Sequence, residues 1–370
     1  MIKERFAYID ALRGLAIAGV IVTHAASITH LTGILRPLTE MGGMGVQLFF
    51  VISAFTIFNS LSKHDTAPNA VRDFFIKRLF RIVPVYWLGI VLYTAVYGLQ
   101  SRGWKEGPEL WHYPFHLLLV NVLHPLTSSS VVPGGWSISC EVLFYAIVPL
   151  LYFRLKKTQN LVILMIASIV IYPIANKWLS IHLGPVIFPG LNPKDFWYRW
   201  LPSQLGCFTF GILLFKLIQA NKLSKFLLNK RLNLFALASI FVSILLMLPY
   251  KLKIIEPHYI FSFLFMCMAL LLSAIPWKFM VNNVFIFLGK ISYSCYLIHF
   301  LVLKQVYDFA SVYLPQIAQD NLVLFSFVLT VSVIFTVPLA MLSYQYVEQP
   351  AVNAGKNFMN YLNGTNSQSA

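Results

Sequence analysis

The sequence predicts an all-α integral membrane protein, a bundle of about ten transmembrane helices with both termini cytoplasmic and an intramembrane cavity. Three observations predict it. Of the 370 residues 58% are hydrophobic and 11% charged, and the mean hydropathy of +0.71 lies well outside the range of soluble domains. Apolar runs recur from end to end, each near the ~20 residues that a helix needs to cross a hydrocarbon core of about 30 Å. The basic residues are also unevenly shared. With both termini inside, 17 of the 28 Lys and Arg fall in cytoplasmic segments and 9 in outer ones, the bias of an even number of spans.

The spans follow in order. The first, Leu12 to Thr29, runs past signal-peptide length and has no small-residue cleavage site before the next polar loop, so it is expected to stay in the mature protein. The second is Val46 to Leu61 and the third Ile82 to Leu99. Trp111 to Leu123 is too short to span and reads as an interfacial or re-entrant helix. Pro133, Gly134 and Gly135 break the chain before the fourth span, Ile138 to Phe153, with Ser137 placed as its cap. Leu161 to Trp178, Trp200 to Ile218 and the short Leu234 to Leu248 give the fifth to seventh. Tyr259 to Ile275, Val284 to Leu303 and Leu322 to Tyr346 complete the set. Residues 1–350 form one domain, and the polar segment 351–370 is expected to be a disordered cytoplasmic tail. Cys140, Cys207, Cys267 and Cys295 lie inside spans without metal-ligand spacing and read as buried apolar residues; no metal is expected.

The net charge of +15 does not point to nucleic acid. It is concentrated on the cytoplasmic side, where topology explains most of it and where it would also favour a polyanionic substrate.

Several ionisable groups are left unexplained by topology. Arg13 and His24 are eleven residues apart in the first span, almost three whole turns, so they share one helix face about 16 Å apart. Arg13 falls near the cytoplasmic interface and His24 beyond the midplane. Either they are a snorkelling arginine and a structural histidine, or they line a functional wall. Asp10, three residues before Arg13, reads as its partner or as a helix-start residue. In "FFIKRLFRIVP", Arg78 and Arg81 lie at i and i+3 on one side of a helix, on the same side of the membrane as Arg13. They suit headgroup anchoring or a clamp on phosphate oxygens. In "PGGWSISCEVLFYAIVP", Glu141 lies inside the fourth span, roughly 6 to 8 Å below the outer surface against about 12 Å for His24. A histidine and a carboxylate at similar depth suit a general base and its orienting partner. Tyr293, His299 and Glu348 are polar groups in apolar surroundings, for which structural anchoring suffices.

These same stretches resemble the membrane acyltransferase-3 family of ten-helix acyltransferases, which O-acetylate bacterial surface sugars among other acceptors. "YIDALRGLAI" with His24 is similar to its opening motif, and "GVQLFFVISAF" to its second-span motif, with Ala54 where glycine is usual. "RLFR" is similar to its paired-arginine motif, "WSISCE" to its tryptophan, serine and glutamate motif, and "SYSCYLIHF" and "YQYVEQP" to its closing motifs.

The resemblance implies transfer of an acyl group, usually acetyl from acetyl-CoA, in the bacterial cytoplasmic (inner) membrane, with membrane lipids around the protein and a saccharide or glycolipid as acceptor. His24 corresponds to the proposed catalytic histidine, and Arg13, Arg78 and Arg81 to donor-binding residues. Glu141 is expected to act with His24, and Trp136, Ser137 and Tyr293 on the substrate. The chain ends soon after the tenth span, so the stand-alone form without a fused hydrolase-like domain is expected. The rival reading is a transporter that moves an organic anion through the same basic vestibule and midplane His and Glu.

Overall fold

The structure, a computed structural model, describes residues 6–63, 69–103, 106–189, 191, 194–220, 224–247 and 255–367. Lys3, Arg5, Lys105, Lys222, Lys251 and Lys253 of the charge distribution lie outside the described residues. Among the described residues all regular structure is helical. This follows from the bilayer as solvent, because a helix satisfies its backbone polar groups within one segment.

The long helices are α1 (Ala7–Ile28), α2 (Gly45–Ser62), α3 (Ala70–Tyr97), α4 (Gly135–Arg154), α5 (Thr158–His182), α6 (Leu201–Ala220), α7 (Lys230–Leu246) and α8 (Pro257–Ala274). After them come α9 (Asn283–Lys290), α10 (Ser292–Tyr313), α11 (Asn321–Ser343) and α12 (Gln349–Ser367). Among the described residues eight helices are long and apolar enough to cross a membrane, and the bent pair α9 and α10 would make nine. The expected seventh span is α7, whose 17 residues rise only about 26 Å.

Three expectations change. The ninth span is not straight: α9 and α10 meet at an 80° bend around Ile291. The cause is close packing on α1. A Cβ on Gly289 would lie 1.8 Å from the Asp10 carbonyl oxygen, and one on Gly14 would lie 2.0 Å from that of Phe285. Two glycines therefore let the backbones of α1 and α9 touch, which fixes α9 against α1 before α10 turns away. The expected interfacial helix at Trp111 to Leu123 is only a short helix, His112–Leu117, followed by a single tight turn at Asn121–Leu123. The segment expected to be a disordered tail is helical as far as Ser367. Phe358 packs on Phe80 of α3, with ring centroids 6.1 Å apart, so apolar contacts hold α12 where composition alone suggested none.

The core sits where α1, α2, α4, α6 and α10 meet. Tyr86, Phe50, Phe55, Phe144 and Phe208 are among its fully buried side chains. Phe208 stacks between Phe50, at 4.5 Å, and Phe144, at 4.0 Å. Outward faces of α5 and α11 carry exposed Ile, Leu, Val and Phe, as lipid contact requires.

Candidate active site

Arg13 and His24 do lie on one uninterrupted helix, α1. The expected Asp10 partnership is also present: Arg13 Nη1 is 3.3 Å from Asp10 Oδ1, one turn earlier. Arg78 and Arg81 lie one turn apart on α3, ahead of Pro84 in the same helix. The guanidinium of Arg78 is 5.2 Å from the Tyr145 ring centroid and 5.9 Å from that of Phe74, within reach of cation–π attraction.

These arginines meet at a cavity of about 690 Å³ inside the bundle. Arg13, Arg78, Arg81, Ser137, Glu141 and Tyr293 all line it, together with Tyr296. Six of the eight residues expected at the site are thus brought together from α1, α3, α4 and α10. Tyr293 is held by a 2.8 Å hydrogen bond donated to the Ile82 carbonyl. Ser137 does not cap α4: Gly134, with φ of +74°, occupies the cap position, and a Cβ there would press on Phe300. Ser137 stands in the first turn instead, its hydroxyl 2.8 Å from that of Tyr296.

Two further cavities open from the arginine end. One, of about 980 Å³, shares Arg78 and Arg81 with the first and adds Lys77 and Lys356. The other, of about 800 Å³, shares Arg13 and Arg81 and adds Lys290, Glu348 and again Lys356. Arg81 lines all three. Val352 and Lys356 of α12, in the segment expected to be a tail, supply part of the wall. Glu348, expected to be a structural anchor, accepts a 3.0 Å hydrogen bond from Ser294 at the wall of this vestibule.

Glu141 is engaged at the arginine end of the site. Its Oε1 accepts hydrogen bonds from Ser53 and Tyr145, which place it in the arginine-lined cavity. The rings packed on His24 are Phe300, at 4.2 Å, and His299, at 5.4 Å, both from α10. His299 is fully buried. Its Nδ1 lies 3.2 Å from the Cys295 carbonyl, which can only accept, so Nδ1 carries the hydrogen and Nε2 is left with its lone pair. That Nε2 has no hydrogen-bond partner among the described residues. Tyr296 links the two regions: it lines the arginine cavity, and its ring is 5.6 Å from His299. His299 was legible only as a polar residue in an apolar helix, and its position beside His24 needs the α10 geometry.

Trp136 does not line the arginine cavity. It stands beside it, packed edge-on against Phe50 at 6.2 Å and against Tyr198 at 5.9 Å. Beyond His24, at the end of α1, a cavity of about 930 Å³ is lined by Ser27, His30, Lys304 and Tyr307. The order along α1 is therefore basic vestibule, arginine cavity, paired histidines and a second opening.

Comparison with known proteins bears on this arrangement. The acyltransferase domain family matches residues 6–341. A Staphylococcus aureus (strain COL) protein provisionally named an O-acetyltransferase is 24% identical over 95% of this chain and 58% of its own length. A Bacillus subtilis (strain 168) protein provisionally named a peptidoglycan O-acetyltransferase is 25% identical over 94% of this chain and 55% of its own. The Rhizobium meliloti exopolysaccharide production protein ExoZ is 34% identical over 29% of this chain and 33% of its own. The chain thus spans little more than half the length of the first two. No solved structure matches it.

Proposed function

Because this chain belongs to the acyltransferase domain family, we propose that it is a multi-pass membrane enzyme that moves an acyl group, most simply acetyl, from cytoplasmic acyl-CoA to a saccharide hydroxyl on the other side. The bacterial inner membrane, with the vestibule facing the cytoplasm, is the setting this reading requires. The positive-inside bias and the lysines around Arg81 support that orientation.

One observation carries the donor assignment. Arg13, Arg78 and Arg81 from two helices converge on one cavity, close enough for Arg78 and Arg81 to act electrostatically on Arg13. Like charges so confined repel unless an anion lies between them, and planar guanidinium forks match phosphate oxygens. The phosphates of acyl-CoA satisfy that need. Its extended arm then follows the face of α1 toward His24, three turns away.

At that end His24 completes the transfer. As general base it takes the hydroxyl proton while the oxygen attacks the thioester carbonyl; the carbon–sulfur bond breaks and the CoA thiolate recovers the proton. As acyl carrier it forms an acyl-imidazole first, and the hydroxyl displaces it. The buried Nε2 of His299 supports the proton route, since it offers His24 a neighbouring acceptor. Glu141, held by Ser53 and Tyr145, shapes the donor end of the site.

The test is transfer of label from [14C]acetyl-CoA to envelope saccharide in membranes containing the protein. His24→Ala at equal expression is expected to abolish transfer, and wild-type activity in that variant overturns the proposal. A transporter would move label without forming an ester. Acid quenching during turnover separates the two routes: labelled protein marks the carrier, and unlabelled protein the base.

A further inference from the structure

The largest cavity among those described plays no part in the account above. It has a volume of about 1500 Å³ and lies between α5, the start of α6 and the start of α8. Four aromatic residues line it: Tyr172, Trp197, Tyr198 and Tyr259. Polar groups alternate with them, Asn176, Glu256 and His258 among others.

Two features make it a built site. One residue of its wall carries a buried polar atom without a partner. Trp197 is 6% exposed, yet its indole Nε1 has no hydrogen-bond acceptor among the described residues. A buried polar group left unpaired is costly, so the Trp197 N–H marks a place where a polar ligand completes the bonding. The position is the second feature. Gln47 donates to the Tyr198 hydroxyl at 3.1 Å, and Tyr198 packs on Trp136, the neighbour of Ser137 in the arginine cavity. Gln47 lies in the first turn of α2, shortly after Thr39, whose carbonyl accepts a 2.6 Å hydrogen bond from Thr23. Thr23 is the residue before His24. The cavity therefore lies near the level of His24, at the end of the bundle opposite the basic vestibule.

The lining chooses between ligand classes. A lipid chain would leave the amide, carboxylate and imidazole groups unpaired. A polyanionic donor would meet Asp195 and Glu256, against Lys177 alone among the lining lysines and arginines. A saccharide matches both halves of the surface, with apolar C–H faces for the aromatic rings and rows of hydroxyls for the polar groups. We infer that this cavity is the acceptor site, that it binds a saccharide chain, and that Trp197 Nε1 and Glu256 hold that chain by its hydroxyls. The inference rests on the acyltransferase reading and names the substrate site that reading requires.

Trp197→Phe keeps an aromatic ring and removes the N–H donor, and Glu256→Gln keeps the shape of a side chain that makes no capping bond at the start of α8. Membranes containing each variant would be given [14C]acetyl-CoA and envelope polysaccharide from the producing cells, stripped of its own esters with mild base. The expected result is a KM for polysaccharide raised about tenfold in each variant, the loss of roughly one hydrogen bond, with the KM for acetyl-CoA unchanged within twofold. Wild-type KM for polysaccharide in both variants overturns the inference and leaves the acyltransferase reading standing. Absence of transfer by the wild-type protein overturns both. Glu256 is exposed, so Glu256→Gln remains a fair test if Trp197→Phe does not fold.

Discussion

The imidazole rings of His24 and His299 lie 5.4 Å apart, joined across the interface of α1 and α10. His299 presents a lone pair that no described residue uses, whereas Glu141 is engaged by Ser53 and Tyr145 in the arginine-lined cavity. His299→Gln is accordingly expected to lower kcat about tenfold or more, by the loss of an assisting proton acceptor, with little change in KM for acetyl-CoA. Steady-state transfer measured against both substrates checks this. A kcat equal to wild type would remove His299 from the reaction.

Arg81 borders all three cavities at the donor end. Arg81→Ala should raise the KM for acetyl-CoA by about 10- to 100-fold, the scale of a lost charge-assisted contact, and Arg81→Lys should recover only part of it because the planar fork is gone. Acetyl-pantetheine, which lacks the nucleotide phosphates, should be used equally by the wild type and both variants. Equal losses with both donors would show that Arg81 does not hold phosphate.

Lys356 approaches the same space from α12. Lys356→Glu is expected to raise the KM for acetyl-CoA severalfold, with a smaller effect at high salt, since an exposed charge is screened. The salt series is the decisive measurement. An effect independent of ionic strength would assign Lys356 to packing alone.

Gly289→Ala should destabilise the protein by at least about 1–3 kcal/mol, because its methyl would be driven into the Asp10 carbonyl and neither backbone can yield cheaply. Thermal unfolding in detergent would record this as a lower Tm. Donor affinity should fall with it, since Asp10 is the partner of Arg13. An unchanged Tm would mean that α1 and α9 can separate at this point.

His116, in the short helix before α4, is buried and bonded on both nitrogens, to the Tyr86 hydroxyl at 2.8 Å and the Thr127 carbonyl at 2.7 Å. Burial pushes its pKa down to about 3 from the usual 6.5. The unfolded chain therefore binds the proton more readily. The stability contributed by neutral His116 is complete above pH 6.5 and is lost progressively as pH falls toward 3, by about 2 kcal/mol at pH 5. Limited proteolysis of the loops before α4 between pH 7 and 5 should accelerate in the wild type. Acid sensitivity unchanged in His116→Asn would place its origin elsewhere.

Much of this was legible in the sequence because a bilayer permits few solutions. The apolar runs marked the long helices, and an eleven-residue interval sufficed to put Arg13 and His24 on one face. The paired arginines were read correctly as neighbours on a helix, and Asp10 as the partner of Arg13. What failed depended on contacts between helices. Depth alone suggested His24 and Glu141 as partners, but depth says nothing of direction around an axis, and it did not reveal that Glu141 bonds to Ser53 and Tyr145 in the arginine-lined cavity. The 80° bend escaped because Gly289 reads as a tolerated glycine until Asp10 is seen against it. The role of α12 was hidden for a related reason, since polar composition does not reveal that Phe358 finds Phe80.

The continuity of α1 gives the donor end a ruler. With no proline or break between Arg13 and His24, the distance from the Arg13 guanidinium to the imidazole is set in units of helical rise, and no loop can adjust it. A one-residue insertion between them would swing His24 about 100° out of line, whereas a four-residue insertion would restore the face and lengthen the interval by about 6 Å. The enzyme would then measure donors by the length of their arm, independently of the size of the acyl group they carry.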